Sequence, residues 1–181
     1  MTNYTFRDFF EKNPLRDDNI KATIEDWINH LSTLFPQVRL KQFLEIRSMD
    51  ACSWDLICSQ PAFWIGLLYN ETSFNKAQEL VESWTQDDRN YINKVAPKDG
   101  LNAKFKEGTI LDIAQKLFEI SKQGLNSRNI VARNNTYNET FYLKDLENNL
   151  TKGQSPADVL ISKFKGQWGQ NISNIYSENI F

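Results

Sequence analysis

The chain has 181 residues, of which 40% are hydrophobic and 24% charged, and its 21 basic and 23 acidic side chains give a formal net charge of −2. This composition is typical of a folded globular chain and excludes general disorder. The slight acidic excess argues against a nucleic-acid or anionic-membrane partner, because both require a basic surface. The length fits one domain, so residues 1–181 are expected to form a single unit.

The apolar segments argue against a membrane protein. The longest apolar run, residues 61–69, is much shorter than the roughly 20 residues that a spanning helix needs. The N-terminal residues contain no apolar stretch of the kind found in signal peptides. We therefore expect a cytoplasmic protein. In that compartment Cys52 and Cys58 are expected to be reduced thiols, and with His30 they are too few for a Cys/His zinc site.

The first predicted helix follows Thr23. Thr23 and Asp26 have the spacing of a capping box, with Asp in place of the usual Glu, and apolar residues then recur at helical intervals as far as Phe35. Pro36 is expected to end this helix. His30 lies beside the apolar stripe with no nucleophile spaced to pair with it, so we interpret it as a packing residue.

The segment from Gln37 to Met49 has a period of two. Its apolar residues fall on one face and its charged residues on the other: Val38, Leu40, Leu44 and Ile46 against Arg39, Lys41, Phe43, Glu45 and Arg47. This alternation predicts one strand whose apolar face packs on helices and whose charged face is open. Because no second strand is evident, its pairing partners are expected from a missing N-terminal half or from a partner chain.

The remainder of the chain is predicted to be helical. Capping residues indicate the helix starts, and proline or glycine indicates the ends. The starts are at Ser73, Thr85, Thr109 and Ser155, and the ends are before Pro97, at Gly124 and at Gly166. A polar stretch, 127–138, is predicted to be a loop that precedes one further helix, 138–150. The expected fold class is therefore α+β, predominantly helical, with one strand of an incomplete antiparallel sheet.

Glu45 and Arg47 are the strongest candidates for chemistry. Two residues apart on a strand, they project from the same face. A carboxylate binds a hard cation such as Mg²⁺ through oxygen, and a guanidinium binds a phosphate with two parallel hydrogen bonds. Such a pair suits metal-assisted phosphoryl transfer. The same spacing is also typical of a solvated ion pair on a surface strand, so the pattern alone leaves both interpretations open.

Longer stretches of the sequence resemble one known family. The most specific is 44–50, which runs Leu-Glu-Ile-Arg-Ser-Met-Asp and is followed by Trp54; the others are 5–9, 23–27, 30–41, 61–69 and 166–170. In these residues and in this order, the chain resembles the C-terminal part of glutamate–cysteine ligase, of the type found in plants and many proteobacteria.

The resemblance implies an activity and roles for three residues. The family joins the γ-carboxylate of glutamate to the amine of cysteine with ATP and Mg²⁺, in the first step of glutathione synthesis, on an antiparallel active-site sheet backed by helices. By this resemblance Glu45 would ligate Mg²⁺. Arg47 would be catalytic and substrate-binding, since it would hold the transferred phosphate, and Trp54 would contact glutamate.

The sequence also departs from the family pattern. The glycine-rich turn that usually follows the strand is replaced by residues 48–53, which restricts the backbone near Trp54. The family's N-terminal portion, with most of the sheet and the other metal carboxylates, is absent from the 181 residues.

Two functions therefore stay open. One is part of a working ligase, as a fragment or as one half of a split enzyme, with no activity expected from this chain alone. The other is a noncatalytic remnant, a helical domain that docks on a partner through its exposed strand. A weaker hypothesis is that the chain is the product of a degenerate gene and is poorly stable in isolation.

Overall fold

The computed structural model describes residues 5–12, 22–50, 52–131 and 137–178. They fall into two compact units, residues 1–50 and 51–181, and each is described by itself. The helices of the described residues are α1 (Phe6–Lys12), α2 (Ile24–Ser32), α3 (Trp54–Leu68), α4 (Glu71–Glu82), α5 (Gln86–Asp99), α6 (Ile110–Arg128), α7 (Lys144–Lys152), α8 (Pro156–Lys165) and α9 (Asn174–Glu178). The strands are β1 (Val38–Leu40), β2 (Leu44–Ile46), β3 (Lys104–Phe105) and β4 (Gly108–Thr109). The single domain expected for residues 1–181 stays a prediction.

The predicted helix starts are made by side-chain caps. Thr23, Thr85, Thr109 and Ser155 each accept a hydrogen bond from the backbone N–H of an aspartate three residues later, and that aspartate accepts one from the cap's own backbone N–H. Each capping box satisfies two backbone donors that the first helical turn leaves without partners. Helix α4 starts before the predicted Ser73, because Asn70 caps it and accepts from the N–H of Ser73.

Three predicted helix ends are wrong. Helix α2 ends at Ser32 and is capped by Thr33, before the stop predicted at Pro36. Helix α5 continues through Pro97 to Asp99. Pro97 has no N–H to donate, but the helix end is still closed by the backbone N–H of Gly100, which donates to the carbonyl oxygen of Ala96. Helix α6 runs past Gly124 to Arg128 and is capped by Asn129, whose backbone is left-handed. The loop therefore starts at Asn129, two residues later than predicted. The helix predicted after it begins as a 3₁₀ turn, Glu139–Leu143, before α7.

Helix α3 is the centre of the second unit, although the sequence pattern did not predict it. It contacts α4, α6, α7 and the 3₁₀ turn Glu139–Leu143. A helix that is packed on several sides is apolar nearly all round and so lacks the stripe that marks an amphipathic helix. Pro61 within it adds a further signal against a helix. In the described parts of the chain, no helix combines the length and the apolar character needed to cross a membrane.

The core of the second unit lies between α3, α6 and α7. Its buried members are Ala62, Phe118, Leu125, Leu143 and Leu150. Helices α3 and α6 approach so closely that their backbones touch. A Cβ on Gly124 would lie 1.9 Å from the carbonyl oxygen of Gly66, and one on Gly66 would lie 2.3 Å from that of Ser121. Both contacts are far below van der Waals distance, so glycine is required at each position.

Three buried serines also join the helices of this unit. The Oγ of Ser121 donates to the carbonyl oxygen of Phe63 at 2.8 Å, and that of Ser73 donates to the carbonyl oxygen of Ile120 at 3.1 Å. The Oγ of Ser59 donates to the carbonyl oxygen of Tyr142 at 2.6 Å. Because each hydroxyl is bonded, the polar groups are buried without the cost of an unsatisfied donor.

The first unit contains α1, α2 and a hairpin in place of the predicted single strand. Strand β1 pairs with β2 in antiparallel register, with Arg39 opposite Glu45 and Leu40 opposite Leu44. The predicted strand is thus wrong in one respect, because it doubles back at residues 41–43. The second unit contains another short hairpin, β3–β4. The predominantly helical α+β class is confirmed, with two small antiparallel sheets in the described residues instead of one strand.

The two faces of the β1–β2 hairpin are exposed in the opposite way from the prediction. The apolar side chains of Val38, Leu40 and Leu44 are mostly exposed, and Leu40 is 79% exposed. On the charged face, the side chains of Arg39 and Arg47 are only 18% and 26% exposed. Within the first unit, the expectation that the apolar face packs on helices is therefore wrong. The charged side chains are less exposed because they pack against one another.

Candidate functional site

The structure brings Glu45 and Arg47 together on the charged face of the hairpin. Glu45 is the middle residue of β2, and Arg47 directly follows the strand. The backbone N–H of Arg47 donates to the carbonyl oxygen of Gln37 at 2.8 Å, which extends the hairpin pairing by one step. The Nη1 atom of Arg47 lies 3.6 Å from Oε1 of Glu45. Alternation along an extended backbone places both side chains on this face, as the sequence predicted.

A third charged residue, Arg39, joins them. Its Nε donates to Oε2 of Glu45 at 2.7 Å, which is the distance of a strong charge-assisted hydrogen bond. Sequence reasoning placed Arg39 on the right face but gave it no role. The missing information was the turn at residues 41–43, because only the hairpin register sets Arg39 directly opposite Glu45.

The surroundings of Glu45 favour its ionised form. The hydrogen bond from Arg39 is the main cause that lowers the pKa of the Glu45 carboxyl below its usual value. Partial burial opposes this effect, and the charges of Arg39, Arg47 and Lys41 reinforce it. Glu45 is therefore a carboxylate at neutral pH, able to accept hydrogen bonds or to ligate a cation.

Arg47 keeps a guanidinium that Glu45 does not fully engage. Its contact with Glu45 is longer than a hydrogen bond, and its guanidinium carbon lies 4.9 Å from the centre of the Phe35 ring. A ring at this distance holds the cation by a cation–π contact and leaves the N–H groups available to an anion. The three charged side chains in mutual contact, Arg39, Glu45 and Arg47, sum to one net positive charge, which suits a phosphate or a carboxylate ligand.

The described residues supply one carboxylate ligand for a metal at this site. No group of three or more histidine, cysteine, aspartate or glutamate side chains within the described ranges is arranged to hold a metal ion. Glu45 fits Mg²⁺ in chemical type, because Mg²⁺ takes oxygen ligands and commonly binds one or two carboxylates together with substrate phosphates and water. Since Oε2 is bonded to Arg39, Oε1 is the oxygen that remains for such a role.

Trp54 belongs to the second unit, where it is the first residue of α3. Its side chain is 69% exposed. It lines a cavity of about 360 Å³ together with Asp55, Cys58, Phe141, Tyr142, Lys144 and Asp145. The cavity offers an aromatic ring and charges of both signs, which are the groups that bind an amino acid. The role of Trp54 toward glutamate stays a prediction.

Comparison with known proteins identifies the family. The sequence model of "Glutamate-cysteine ligase family 2 (GCS2)" matches residues 9–178, nearly the whole chain. The chain belongs to this family. The resemblance seen in the sequence is thereby confirmed.

Plant glutamate–cysteine ligases are among the relatives within this family. The chain is 34% identical over 180 residues to the chloroplastic enzyme of Solanum lycopersicum, covering 99% of this chain and 33% of that enzyme. It is 33% identical over 181 residues to the chloroplastic enzyme of Arabidopsis thaliana, with the same coverage. The chain thus spans about a third of the length of these curated glutamate–cysteine ligases.

Proposed function

We propose that this chain is part of a glutamate–cysteine ligase, which joins the γ-carboxylate of glutamate to the amine of cysteine and converts ATP to ADP and phosphate. The observation that carries the proposal is the family match over residues 9–178, within which Glu45 and Arg47 lie on one face. Membership of the glutamate–cysteine ligase family implies that the substrates are small molecules. The remaining substrate contacts belong to the rest of the ligase, since this chain spans about a third of its relatives.

The proposed reaction has two steps. An oxygen of the γ-carboxylate attacks the terminal phosphorus of ATP, the bond to the bridging oxygen breaks, and ADP leaves. The cysteine nitrogen then attacks the acyl carbon, the bond to the phosphate oxygen breaks, and the amide forms as the nitrogen loses a proton. Both steps develop negative charge on oxygens of the transferred phosphoryl group. Arg47 stabilises that charge, because its guanidinium is always protonated and matches phosphate geometry.

Glu45 contributes to the Mg²⁺ requirement in this proposal. Oε1 of Glu45 is the proposed ligand, and further oxygen ligands come from the nucleotide and from carboxylates outside the described residues. When bound, the ion neutralises charge on the phosphates and orients them. Because the bond from Arg39 lowers the pKa of Glu45, the carboxylate keeps the charge that a cation ligand needs to a lower pH than an ordinary glutamate does.

The experiment that tests the proposal measures ADP release by the complete ligase, with this chain joined to the remaining portion of a family member. Release is expected only when glutamate, cysteine, ATP and Mg²⁺ are all present, and none is expected from the 181-residue chain alone. A folded complete protein that releases no ADP in response to both amino acids would contradict the proposal.

Substitution of Arg47 tests its role within that assay. Arg47→Ala is expected to lower kcat by at least about 10²–10³-fold, the usual loss when one donor to a developing oxyanion is removed. Stability should change little, because Arg47 belongs to a unit in which no described residue is fully buried. Arg7→Ala is the matched control, since Arg7 lies in the same unit with its side chain 83% exposed. Normal turnover by the Arg47 variant would contradict the catalytic role of Arg47.

Substitution of Glu45 tests the proposed metal ligand. Glu45→Gln keeps the shape of the side chain and removes its charge, so the Mg²⁺ concentration needed for half-maximal rate is expected to rise about 10-fold or more. An unchanged Mg²⁺ titration would count against Glu45 as a ligand.

A second function is favoured by the exposed apolar face of the hairpin. Val38, Leu40 and Leu44 are open, and the sheet has two strands in the described part of the chain. A noncatalytic domain would use these features to bind a partner by strand addition. The same assay separates the functions, because joining the rest of the ligase restores ADP release only if the chain is a working part of the enzyme.

A cytoplasmic location is part of the proposal, and subcellular fractionation of the native protein tests it.

A further inference from the structure

The two arginines beside Glu45 contact it in different ways. Arg39 donates from Nε to Oε2 at 2.7 Å, whereas Nη1 of Arg47 lies 3.6 Å from Oε1. The first contact is a hydrogen bond and the second is a longer ion pair. Arg39 is also the least exposed of the three side chains, at 18% against 33% for Glu45 and 26% for Arg47. Glu45 is thus fixed through one oxygen by Arg39.

The backbone explains why Arg39, and not Arg47, makes the bond. Arg39 faces Glu45 directly across the two strands. Directly opposite residues on one face are about 4.5–5.5 Å apart at Cβ, which suits a short side-chain bond. Arg47 lies two residues further along the same strand as Glu45, so its guanidinium approaches from the side.

We propose that Arg39 is a positioning residue of the ligase, which holds Glu45 so that Arg47 stays available to the substrate. The inference rests on the proposed function and adds a residue to it. Arg39 compensates the charge of Glu45, and the charge of Arg47 is left for the phosphoryl group. Arg39 does not contact the reacting atoms in this proposal, and it acts only through Glu45.

Removing Arg39 has a specific consequence in this arrangement. The Glu45 carboxylate would be released from its bond and would turn toward Arg47, the nearest remaining guanidinium. A carboxylate and a guanidinium readily form a bidentate pair with two parallel hydrogen bonds. Such a pair would occupy the donors of Arg47 and the free oxygen of Glu45 at once, so both proposed roles would be impaired together.

The first test compares variants of the complete ligase. Arg39→Ala is expected to lower kcat by about 10–100-fold, the usual effect of removing a group that orients a metal ligand. Arg39→Lys should recover part of the loss, because it keeps the charge and loses the planar fork. Lys41→Ala is the control, since it removes one positive charge from the same hairpin without a bond to Glu45, and its kcat should stay within about twofold of wild type.

A double-mutant cycle separates positioning from a general structural role. If Arg39 acts through Glu45, then adding Arg39→Ala to Glu45→Gln should lower kcat by less than about threefold further. A merely structural role would instead lower the folded fraction, which urea unfolding of each variant measures, and would leave kcat per folded molecule unchanged. Multiplicative losses in the double variant, or an Arg39→Ala enzyme within twofold of wild type, would overturn the inference.

A spectroscopic readout does not depend on activity. The ¹⁵Nε–¹Hε resonance of Arg39 should report a hydrogen bond, should move in Glu45→Gln, and should stay in place in Lys41→Ala. A resonance indifferent to Glu45→Gln would overturn the inference even in an active enzyme. A complete wild-type protein without substrate-dependent ADP release would overturn the proposed function instead, so the two failures are distinguishable.

Discussion

The two units of the chain are stabilised by different interactions. The second has a buried core of residues from α3, α6 and α7, with backbones in contact at Gly66 and Gly124. In the first, none of the described residues reaches full burial. Local contacts hold it together, among them the hairpin pairing, the cap of α2 and the rings of Phe6 and Trp27, whose centres are 5.0 Å apart.

This difference bears on where function resides. The charged face with Glu45, Arg47 and Arg39 lies in the first unit, where no described residue is buried, whereas the buried core lies in the second unit. Core packing gives stability, whereas accessible polar groups on a less buried element bind ligands. The contrast predicts that identical substitutions will have unequal effects in the two units.

The largest expected difference comes from leucine truncation. Leu125→Ala removes a fully buried side chain of the core and should lower the free energy of unfolding by about 3–5 kcal/mol. Leu40→Ala removes the same atoms from an open side chain and should cost less than about 0.5 kcal/mol. Urea unfolding followed by circular dichroism measures both. Equal losses would mean that the hairpin's apolar face is covered in solution.

Glycine substitution tests the backbone contact within the second unit. In Gly124→Ala the new Cβ meets the Gly66 carbonyl oxygen, so α3 and α6 must separate, and we expect a net loss of about 2–3 kcal/mol. Alanine favours a helix over glycine by only about 1 kcal/mol, so the clash dominates. Gly169→Ala is the control, because a Cβ there would meet no residue beyond its chain neighbours within 4 Å, and its left-handed backbone costs about 1 kcal/mol. A stabilised Gly124 variant would contradict the close packing.

The sequence predicted the features that depend on neighbouring residues. The capping boxes at Thr23, Thr85, Thr109 and Ser155 each depend on residues three apart, so a single chain reveals them. Gly124 was taken as a helix end because the signal for its real role lies in Gly66, 58 residues earlier. Contacts between distant segments leave no local pattern.

The candidate site was predicted in part for a related reason. Alternation placed Glu45, Arg47 and Arg39 on one face, and that face is the same in a straight strand and in this hairpin. The turn has three residues, so residues of equal parity stay on the same side when the chain doubles back. Residues 41–43 are Lys-Gln-Phe, without the glycine, asparagine or proline that marks a turn. The sequence pattern therefore did not predict the hairpin or the pairing of Arg39 with Glu45.

Matched helix caps provide a smaller comparison. In both α6 and α2 the capping threonine, Thr109 or Thr23, accepts from the aspartate N–H at 3.2 Å. Thr109→Ala should lower the stability of the second unit by about 1 kcal/mol. Thr23→Ala should leave the unfolding transition of the second unit unchanged. Its effect should be faster amide exchange in α2, which has no buried residue. Equal shifts of one common transition would show that the two units unfold together.

The smallest expected effect is the acid dependence of stability. Hydrogen bonds from the hydroxyl and the backbone N–H of Thr109 lower the pKa of Asp112 below its usual 3.8, and those of Thr23 act likewise on Asp26. The unfolded chain therefore binds protons more readily than the folded one. The stabilisation is fully present above the unfolded pKa and is lost as the pH falls through the lower folded pKa.

Asparagine substitution isolates this acid effect in each unit. Asp112→Asn removes the titrating group, so the second unit should lose less stability than wild type between about pH 7 and about pH 3. Asp26→Asn should leave the acid dependence of that unit unchanged, because Asp26 caps a helix of the first unit. Urea midpoints across this pH range measure both variants. A wild-type acid dependence in the Asp112 variant would contradict its role. The dependence that remains is expected from Asp88, Asp158 and Glu178, whose carboxyl pKa values are also lowered by hydrogen bonds.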